Sequence, residues 1–439
     1  MIRRLVVILS AVAASGCFDF DNAYNQYCDA GHCNAAGGGT ATGGGGGATG
    51  GGGATGDGGA EGGGTGGGSM GGGSGGGVMG GGTGGGTGGG SMGGGGGSVP
   101  DAGCQAFLCP ELDYTSPQSS APFSYMAIAP GINAQSLARF NIYASFEVNR
   151  FSNHVEYKFT NNVPNTVNRT NFSGSHAARH LDGISLTDQW FNYNGGAWHV
   201  VGSASPQILT QCSLSDGGML DPSHHAAYPV SADEAWLVGY PMSVCHWTSD
   251  GGFAQTANSE QWPSVYLLDA YKRPTGEVIV VGGDYATGDG VCFISDEKGQ
   301  PYGAPTIVDD WFTDGCASID GVGDQVYVLA RDDSAGHGVI LSLQEDGGFA
   351  SVYTAPFRLS QLDVLPSGEV WAVGASSGSA IYFDGGSWAE VPLSITENRF
   401  NVFWENVKAT SDGIIVSGNE LQPDGGVAAV VNTYRRFGN

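Results

Sequence analysis

Short stretches of alternating hydrophobic and polar residues fill the last two thirds of the chain, and one of these stretches recurs. Its copies are rich in Val and Trp, as β-strands are. They read EAWLVG ending at Gly239, EVIVVG ending at Gly282, QVYVLA ending at Ala330, EVWAVG ending at Gly374 and GIIVSG ending at Gly418. The steps between these ends are 43, 48, 44 and 44 residues. A period near 45 residues with several short strands per unit predicts an all-β fold, a β-propeller.

Turn signals and two weaker copies extend the repeat. Asp384-Gly385-Gly386 stands before Trp388 and suits a tight hairpin turn. Upstream lie Asn194-Gly195-Gly196-Ala197-Trp198 and the pair NIYASFEV and HVEYKF within 141–159. Seven blades are therefore predicted for a domain spanning 121–439, with six or eight left open. A two-sheet sandwich is the alternative, but it would not produce near-equal steps of one motif.

The last unit is incomplete. Its strands are predicted at 403–411, 413–418 and 427–434, and no fourth strand follows. Propellers leave few edges unpaired, so another part of the chain is expected to supply the missing strand. The strand-like segment 123–129 is predicted to pair with the last blade and close the ring.

The repeated units resemble the Trp-containing propeller repeats of bacterial exported proteins. They are also similar to the Asp-box and kelch-like classes, whose turns carry Asp-Gly or Gly-Gly. The resemblance covers residues 121–439, although no unit contains the full Asp-box pattern Ser-x-Asp-x-Gly-x-x-Trp. It implies a propeller without naming a ligand.

The N-terminus reads as a targeting segment. Arg3 and Arg4 precede an apolar run that is too short to span a bilayer. The sequence Ala14-Ser15-Gly16-Cys17 resembles the lipobox of bacterial lipoproteins. The resemblance implies that 1–16 is a signal peptide and that Cys17 is lipidated, since two or more acyl chains anchor a protein stably. Phe18 follows in place of Asp, which favours the outer membrane or cell surface over the inner membrane.

A glycine-rich run separates this anchor from the repeats. Glycine provides 41 of the 62 residues in 37–98, so the run has little to bury and is expected to be a disordered linker. Its root-mean-square reach is about 45 Å and its full extension roughly 200 Å. On either side lie a lipidated N-terminal segment at 17–36 and a cysteine-containing connector at 99–120.

Eight cysteines remain after Cys17. An even number behind an export signal predicts disulfides formed in an oxidising compartment. The expected pairs are Cys28–Cys33, Cys104–Cys109, Cys212–Cys245 and Cys292–Cys316. A zinc site built from the first four cysteines is the alternative, but zinc usually takes the closer CxxC spacing.

The charge limits the class of partner. The formal net charge is −26 at pH 7, which repels phosphate-rich polymers and argues against nucleic acid. Expected partners are an envelope or extracellular protein or a polysaccharide, with membrane contact through the lipid anchor only, and the chain is expected to be a monomer.

No motif names a catalytic residue. Residues 374–378 fit GxSxG, but strands on both sides favour a hairpin over a nucleophile elbow. His176 with His180 and His224 with His225 form histidine pairs that are interpreted as loop residues, with no metal site assigned. No cofactor is expected, although structural calcium remains open in acidic loops. Those loops contain Asp284, Asp289, Asp320, Asp324, Asp332 and Asp333.

Two functions fit these observations. The first is a membrane-anchored binding or scaffolding protein of the cell envelope. The alternative is an extracellular hydrolase or lyase acting on glycans or other polymers, because catalytic carboxylates in a propeller come from different blades and leave no spacing in the sequence. An acidic and aromatic ring at the channel would favour the enzyme, and a plain polar channel would favour binding.

Overall fold

The structure is a computed structural model of the 439-residue chain. The chain divides into two units, 1–93 and 94–439, and every described residue belongs to the second. The described ranges are 107–115, 127–148, 151–168, 180–193, 196–202, 207–209, 223–240, 242–257, 262–295, 306–307, 315–332, 336–374, 378–393, 402–422 and 427–436. Within them no helix is long and apolar enough to cross a membrane.

The elements are β-strands, and they form four-stranded antiparallel sheets, the blades. Blade 1 contains β2 to β5, at Ala127–Ser136, Arg139–Val148, Phe151–Thr160 and Val163–Asn168. Blade 2 contains β6 to β9, at His180–Ser185, Asp188–Tyr193, Gly196–Val201 and Gln207–Leu209. Blade 3 contains β10 to β13, at Ser223–Ser231, Glu234–Tyr240, Ser243–Thr248 and Gly252–Ala257. Blade 4 contains β14 to β17, at Val265–Lys272, Val278–Asp284, Gly290–Ser295 and Thr306–Ile307.

Three more blades complete the ring. Blade 5 contains β18 to β21, at Cys316–Val322, Gln325–Asp332, His337–Leu343 and Phe349–Thr354. Blade 6 contains β22 to β25, at Gln361–Val364, Val370–Val373, Ser379–Phe383 and Trp388–Pro392. Blade 7 contains β26 to β28, at Val402–Thr410, Gly413–Leu421 and Val427–Arg436, together with β1 at Leu108–Thr115. The first strand of each blade lies next to those of its neighbours, and β26 lies next to β2. The predicted seven-bladed propeller is confirmed.

The N-terminal side of the domain closes the ring, but through a different segment from the predicted one. Strand β1 pairs with β28 from Leu108 opposite Arg436 to Thr115 opposite Val430. The described part of the predicted closing segment 123–129, residues 127–129, instead belongs to β2, the innermost strand of blade 1. The propeller therefore begins at Leu108, so the expected connector and the boundary at residue 121 are corrected. An outermost strand exposes one edge and carries Pro and charges, which hid β1 in the pattern.

Hydrophobic side chains fill the spaces between blades. The middle strands of the motif are buried on both faces, and the bulky side chains of Trp190, Trp236, Trp371 and Trp404 are fully enclosed. Between blades 3 and 4, Trp236 packs with Val280 and Phe293 in one cluster. A single blade cannot bury both of its faces, so the closed ring is what removes this apolar surface from water.

The glycine that ends the motif is explained by a close approach. The innermost strand bulges opposite this glycine in blades 4 and 7. A Cβ on Gly282 would lie 1.9 Å from the carbonyl oxygen of Tyr266, and one on Gly418 would lie 1.9 Å from that of Phe403. Only a residue without a side chain fits at these two positions, which accounts for the glycine at the end of the motif in blades 4 and 7.

Candidate functional site

One register position recurs on the innermost strand of every blade. In blades 2, 3 and 6 it pairs with the buried motif tryptophan, and the remaining blades use the equivalent pairing. Its occupants, in blade order, are Asn133, Asp182, Tyr228, Tyr271, Asp320, Asp363 and Lys408. Because innermost strands surround the axis of a propeller, these seven residues form a channel ring.

Carboxylates of the channel ring bind the backbone of the next blade. Asp320 Oδ2 accepts the Val364 N–H at 2.7 Å, from blade 5 to blade 6. Asp363 Oδ2 accepts the Ala409 N–H at 2.7 Å, and its Oδ1 accepts Lys408 Nζ at 2.6 Å. Both bonds run in the same direction around the ring, so each carboxylate fastens its blade to the following one.

A second set of such bonds lies two residues earlier on the strands. Asp269 Oδ2 accepts the Ile319 N–H at 3.0 Å and the Ser318 hydroxyl at 3.2 Å. Gln361 Oε1 accepts the Val407 N–H at 3.0 Å. These side chains also reach the next blade, and the joint between blades 6 and 7 has such bonds at two levels along the axis.

The ring members interact electrostatically across the channel. Burial opposes the charge of Lys408, but the carboxylates of Asp363, Asp182 and Asp320 together hold its pKa above the ordinary value. Burial, and then the negative charge of Asp363, raise the pKa of Asp320. Burial and Asp320 also raise the pKa of Tyr228. Charged groups on blades 2, 5, 6 and 7 therefore interact electrostatically with one another, as expected for a narrow channel.

Asp182 differs from the other two acids of the ring. Its Oδ1 accepts the N–H of Gly183 on its own strand at 2.7 Å. Among the described residues no hydrogen bond joins its carboxylate to blade 3. Asp182 is therefore the ring carboxylate most open to a ligand.

A second polar group surrounds Glu405 at the bulge of β26. Burial raises the pKa of Glu405 to about 7, while the hydrogen bond from Asn419 Nδ2, at 2.8 Å, opposes the shift. Arg331 and Arg358 contribute positive potential at the same place. Arg331 donates to the carbonyls of Leu359 and Ser360, which again links blade 5 to blade 6.

Three blades repeat a group made of a carboxylate, a tryptophan and an aromatic ring packed against it, stacked in blades 2 and 3 and tilted in blade 6. In blade 2, His199 contacts Asp188 at 2.8 Å and stacks on Trp190, and all three are buried. Blade 3 uses Glu234, Trp236 and His246, and blade 6 uses Glu369, Trp371 and Tyr382. The carboxylate stands two residues before the tryptophan each time, a spacing visible in the sequence that the sequence analysis missed.

In blades 3 and 6 this group also connects its blade to the next one. The Glu234 carboxylate also binds Lys272 of blade 4 at 2.6 Å, and the Glu369 carboxylate binds Arg436 of blade 7 at 2.7 Å. Positive partners and hydrogen bonds lower the pKa of both glutamates, although burial opposes the shift. Each carboxylate thus remains charged and fixed between two blades.

The structure does not bring together the candidate site residues that the sequence analysis selected. Gly374 ends the segment after β23, and β24 follows, so GxSxG lies between two strands as predicted. His176 is outside the described residues, and only the backbone of His180, His224 and His225, in β6 and β10, is described. Asp324 pairs with Arg273 at 2.8 Å. In the described part of the chain no group of three or more His, Cys, Asp or Glu is placed to hold a metal ion.

Four cysteines are described. Cys109 and Cys245 are in disulfide bonds, and their expected partners Cys104 and Cys212 lie outside the described residues, as do Cys17, Cys28 and Cys33. Cys292 and Cys316 are free and buried, so the expected Cys292–Cys316 bridge is not present. Both thiols pack in one apolar cluster between blades 4 and 5, where cysteine serves as a small hydrophobic residue.

Exposed apolar residues gather on one side of one face. The turns that join the first strand of each blade to the second share this face, which we call the turn face. Blades 1 to 3 place four aliphatic side chains at its strand ends, each more than a third exposed: Val163, Ile184, Val201 and Val230. We call this group the apolar patch. Exposed apolar patches of this kind mark interaction surfaces.

No protein-family model matches the chain, and no curated protein sequence matches it. Solved structures match it by fold. A catalytically inactive virginiamycin B lyase from Staphylococcus aureus with quinupristin has a TM-score of 0.53 and 10% identity, over 74% of this chain and 99% of that chain. A streptogramin B lyase has a TM-score of 0.51 and 11% identity, over 72% and 97%. YCF48 bound to a D1 peptide has a TM-score of 0.48 and 12% identity, over 73% and 96%. The two lyase structures, with TM-scores above 0.5, show the β-propeller fold, and at these identities they show nothing of function.

Proposed function

We propose that the protein is a lipid-anchored binding protein of the cell envelope, whose propeller holds a protein or polysaccharide partner. One observation carries the proposal. The convergent acids Asp269, Asp320 and Asp363 bind the backbone of the next blade, so their oxygens serve assembly. A general acid or nucleophile needs an oxygen directed at a substrate. The polar channel is thus a joint between blades, and the outer surfaces of the propeller are available for a partner.

The apolar patch is the surface that supports this role. Its four aliphatic residues lie on the same face of three consecutive blades. Exposed apolar groups cost solvation free energy that a partner recovers on binding. With the apolar patch and the lipid anchor, the protein would bind its partner at the cell envelope, on the outer membrane or at the cell surface.

Site-specific photocrosslinking in cells tests the binding role. A photoreactive residue replaces Ile184 or Val230 in the patch, and a matched control replaces Ser367, an exposed polar residue on the turn face of blade 6. We expect the same discrete adduct from both patch positions and little from Ser367. Equal labelling at all three positions, or no adduct at any, would contradict the proposal.

The membrane anchor is tested separately. Two or more acyl chains on Cys17 would hold the mature chain to lipid, so Cys17→Ser is expected to move the protein from the membrane fraction to the soluble fraction. A Cys28→Ser variant, altered close by in the chain but outside the lipobox, should stay with the membrane. A Cys17→Ser chain that still floats with membrane vesicles would exclude the lipid anchor.

A polymer hydrolase or lyase is the second candidate, because the channel ring joins acids with Tyr228 and Tyr271, as an enzyme would require. Burial raises the pKa of Asp320 toward the range where a carboxyl can act as an acid. Asp182 would be the charged partner across the channel. Release of soluble fragments from envelope glycans, lost on Asp182→Asn without any fall in melting temperature, would establish this activity in place of a purely binding role.

A further inference from the structure

Each blade ends in an outermost strand whose free edge faces solvent, and most of these edges are guarded. Unpaired N–H and C=O groups invite another strand, so natural edges carry Pro or charges or are very short. Strand β5 contains Pro164, and β25 contains Glu390 and Pro392. Strand β1 contains Pro110, Glu111 and Asp113, while β9 and β17 have only three and two residues.

Strand β21 lacks all of these guards. Its six residues read FASVYT, without proline or charge, and residues of this kind favour strands. It pairs with β20 along its inner side from Phe349 to Thr354, with one bulge at Val352. In the described part of the chain no strand or hydrogen bond reaches its outer side, and Val352 is 39% exposed there. β13 also lacks Pro and charge, but most of its side chains lie outside the described residues.

An aromatic wall lies beside this edge. Tyr353 of β21 stacks on Trp388 of blade 6, with ring centroids 5.4 Å apart. Trp388 in turn stacks on Phe383 at 4.7 Å and meets Tyr327 edge-on at 6.0 Å. A strand added to β21 would lay alternate side chains against this wall, since successive side chains of a strand point to opposite faces.

The charges around the edge are negative. Glu345 and Asp346 are exposed in the turn that leads into β21, and Asp384 and Glu390 are exposed at the facing edge of blade 6. Glu390 is near enough to raise the pKa of Tyr353, although burial is the larger cause of that shift. The surroundings therefore complement a partner that carries lysine or arginine beside its strand-forming part.

We propose that the outer edge of β21 binds an extended, uncharged polypeptide segment flanked by basic residues, which joins blade 5 as a fifth strand. Backbone hydrogen bonds would supply affinity, the Tyr353–Trp388 wall would select aliphatic or aromatic side chains at alternate positions, and the four carboxylates would select basic flanks. This inference rests on the proposed binding role, to which it adds a second surface and the class of partner.

A synthetic peptide tests the proposal on the full-length mature chain. Its six-residue centre alternates threonine and valine, matching the length of β21, and a lysine pair stands at each end. Binding is measured by fluorescence anisotropy. We expect saturable binding that weakens as salt is raised, and that is lost when a central valine of the peptide is replaced by proline, which cannot pair in a sheet.

Two variants and a matched control locate the site. Val352→Lys guards the edge and repels the basic peptide, so it should weaken binding about tenfold. Glu390→Gln removes one exposed charge and should weaken it about twofold to threefold. Asn165→Lys places the same charge at an exposed position on β5 in blade 1, whose edge has Pro164, and should leave binding unchanged.

Three results would overturn the inference. They are equal binding of the proline peptide, equal binding by the Val352→Lys chain, and a concentration-dependent dimer of the protein that Val352→Lys abolishes, which would assign the edge to a second copy. None of these results would remove crosslinks from Ile184 and Val230, so failure of strand addition is distinguishable from failure of the binding role.

Discussion

Blades 4 to 7 and blades 1 to 3 are joined to their neighbours by different chemistry. From blade 4 onward, the side chains of Asp269, Asp320 and Asp363 accept backbone N–H groups of the following blade. Between blades 1 and 2 the contact is neutral, because Asn133 and Asn141 donate amides to the carbonyls of the turn that follows β6. Between blades 2 and 3, packed aromatic rings such as Trp190 and Trp247 replace hydrogen bonds across the ring position.

The difference shows how one repeat accommodates several ways of holding neighbours together. A carboxylate can be buried where the next blade supplies N–H groups or a cation. Where the next blade supplies neither, burial of a carboxylate is avoided. Asp182 has no such partner on blade 3 among the described residues, and it is the ring acid left with a bond only to its own strand. A position that is structural in one half of the ring is thus available to a ligand in the other.

Removal of β1 should have the largest effect, because it opens the ring between the two halves. Deleting 107–115 exposes β28 and loses the buried side chains of Leu108, Leu112 and Tyr114. At about 2 kcal/mol for each, the expected loss is about 6 kcal/mol of unfolding free energy. Chemical denaturation measures it, with deletion of 37–98 as the control that should leave stability unchanged. An equally stable chain without β1 would show that the ring is not closed by this strand.

Asp363→Ala should rank second, because it tests the carboxylate joints of blades 4 to 7. It removes the partner of Lys408 and of the Ala409 N–H, at an expected cost of about 3 kcal/mol. Asp182→Ala, at the equivalent position of blade 2, should cost less than about 0.5 kcal/mol. Equal losses in thermal denaturation would mean that the two halves do not differ.

The pH dependence of stability sharpens the comparison further. Burial, with Asp363 adding to it, raises the pKa of Asp320, and burial raises that of Glu405 to about 7. Protonated forms are favoured in the folded state, so this stability is complete below the unfolded pKa near 4 and is lost as pH rises through the folded values. We expect unfolding free energy to fall on the order of 2 kcal/mol from pH 5 to pH 8.5, and Glu405→Gln to reduce the slope. A flat profile would exclude these shifts.

The surface ion pair between blades 4 and 5 should have the smallest effect. Arg273 binds Asp324, whose side chain is 67% exposed, and also binds Glu277 in its own blade. Exposed pairs contribute little, so Asp324→Ala should cost at most about 0.5 kcal/mol. Asp269→Ala, at the buried joint between the same blades, should cost more. The reverse order would place the interblade stability at the surface instead of the channel.

Several parts of the architecture could be predicted because the local sequence determines them. The Val-Trp-rich stretches are middle strands, the Asp384-Gly385-Gly386 turn joins β24 to β25, and the last blade lacks its own fourth strand. The glycines repeat because the bulged strand leaves no room for a side chain. Strands buried on both faces have strongly hydrophobic sequences, and tight turns require particular residues. Counting these two features in the sequence predicts seven blades.

Only the tertiary structure decided which strand closes the ring and which residues meet at its axis. β1 is an edge strand, and its Pro110 and Glu111 weaken the alternation by which strands are recognised. The seven channel residues lie on separate blades and differ in type, from Asn133 through Asp182 to Lys408, so no repeat of identity marks them. Their roles depend on whether the neighbouring blade offers an N–H, a cation or an aromatic ring. Local pattern therefore fixed the blades of this protein, and contacts between blades fixed the chemistry of its channel.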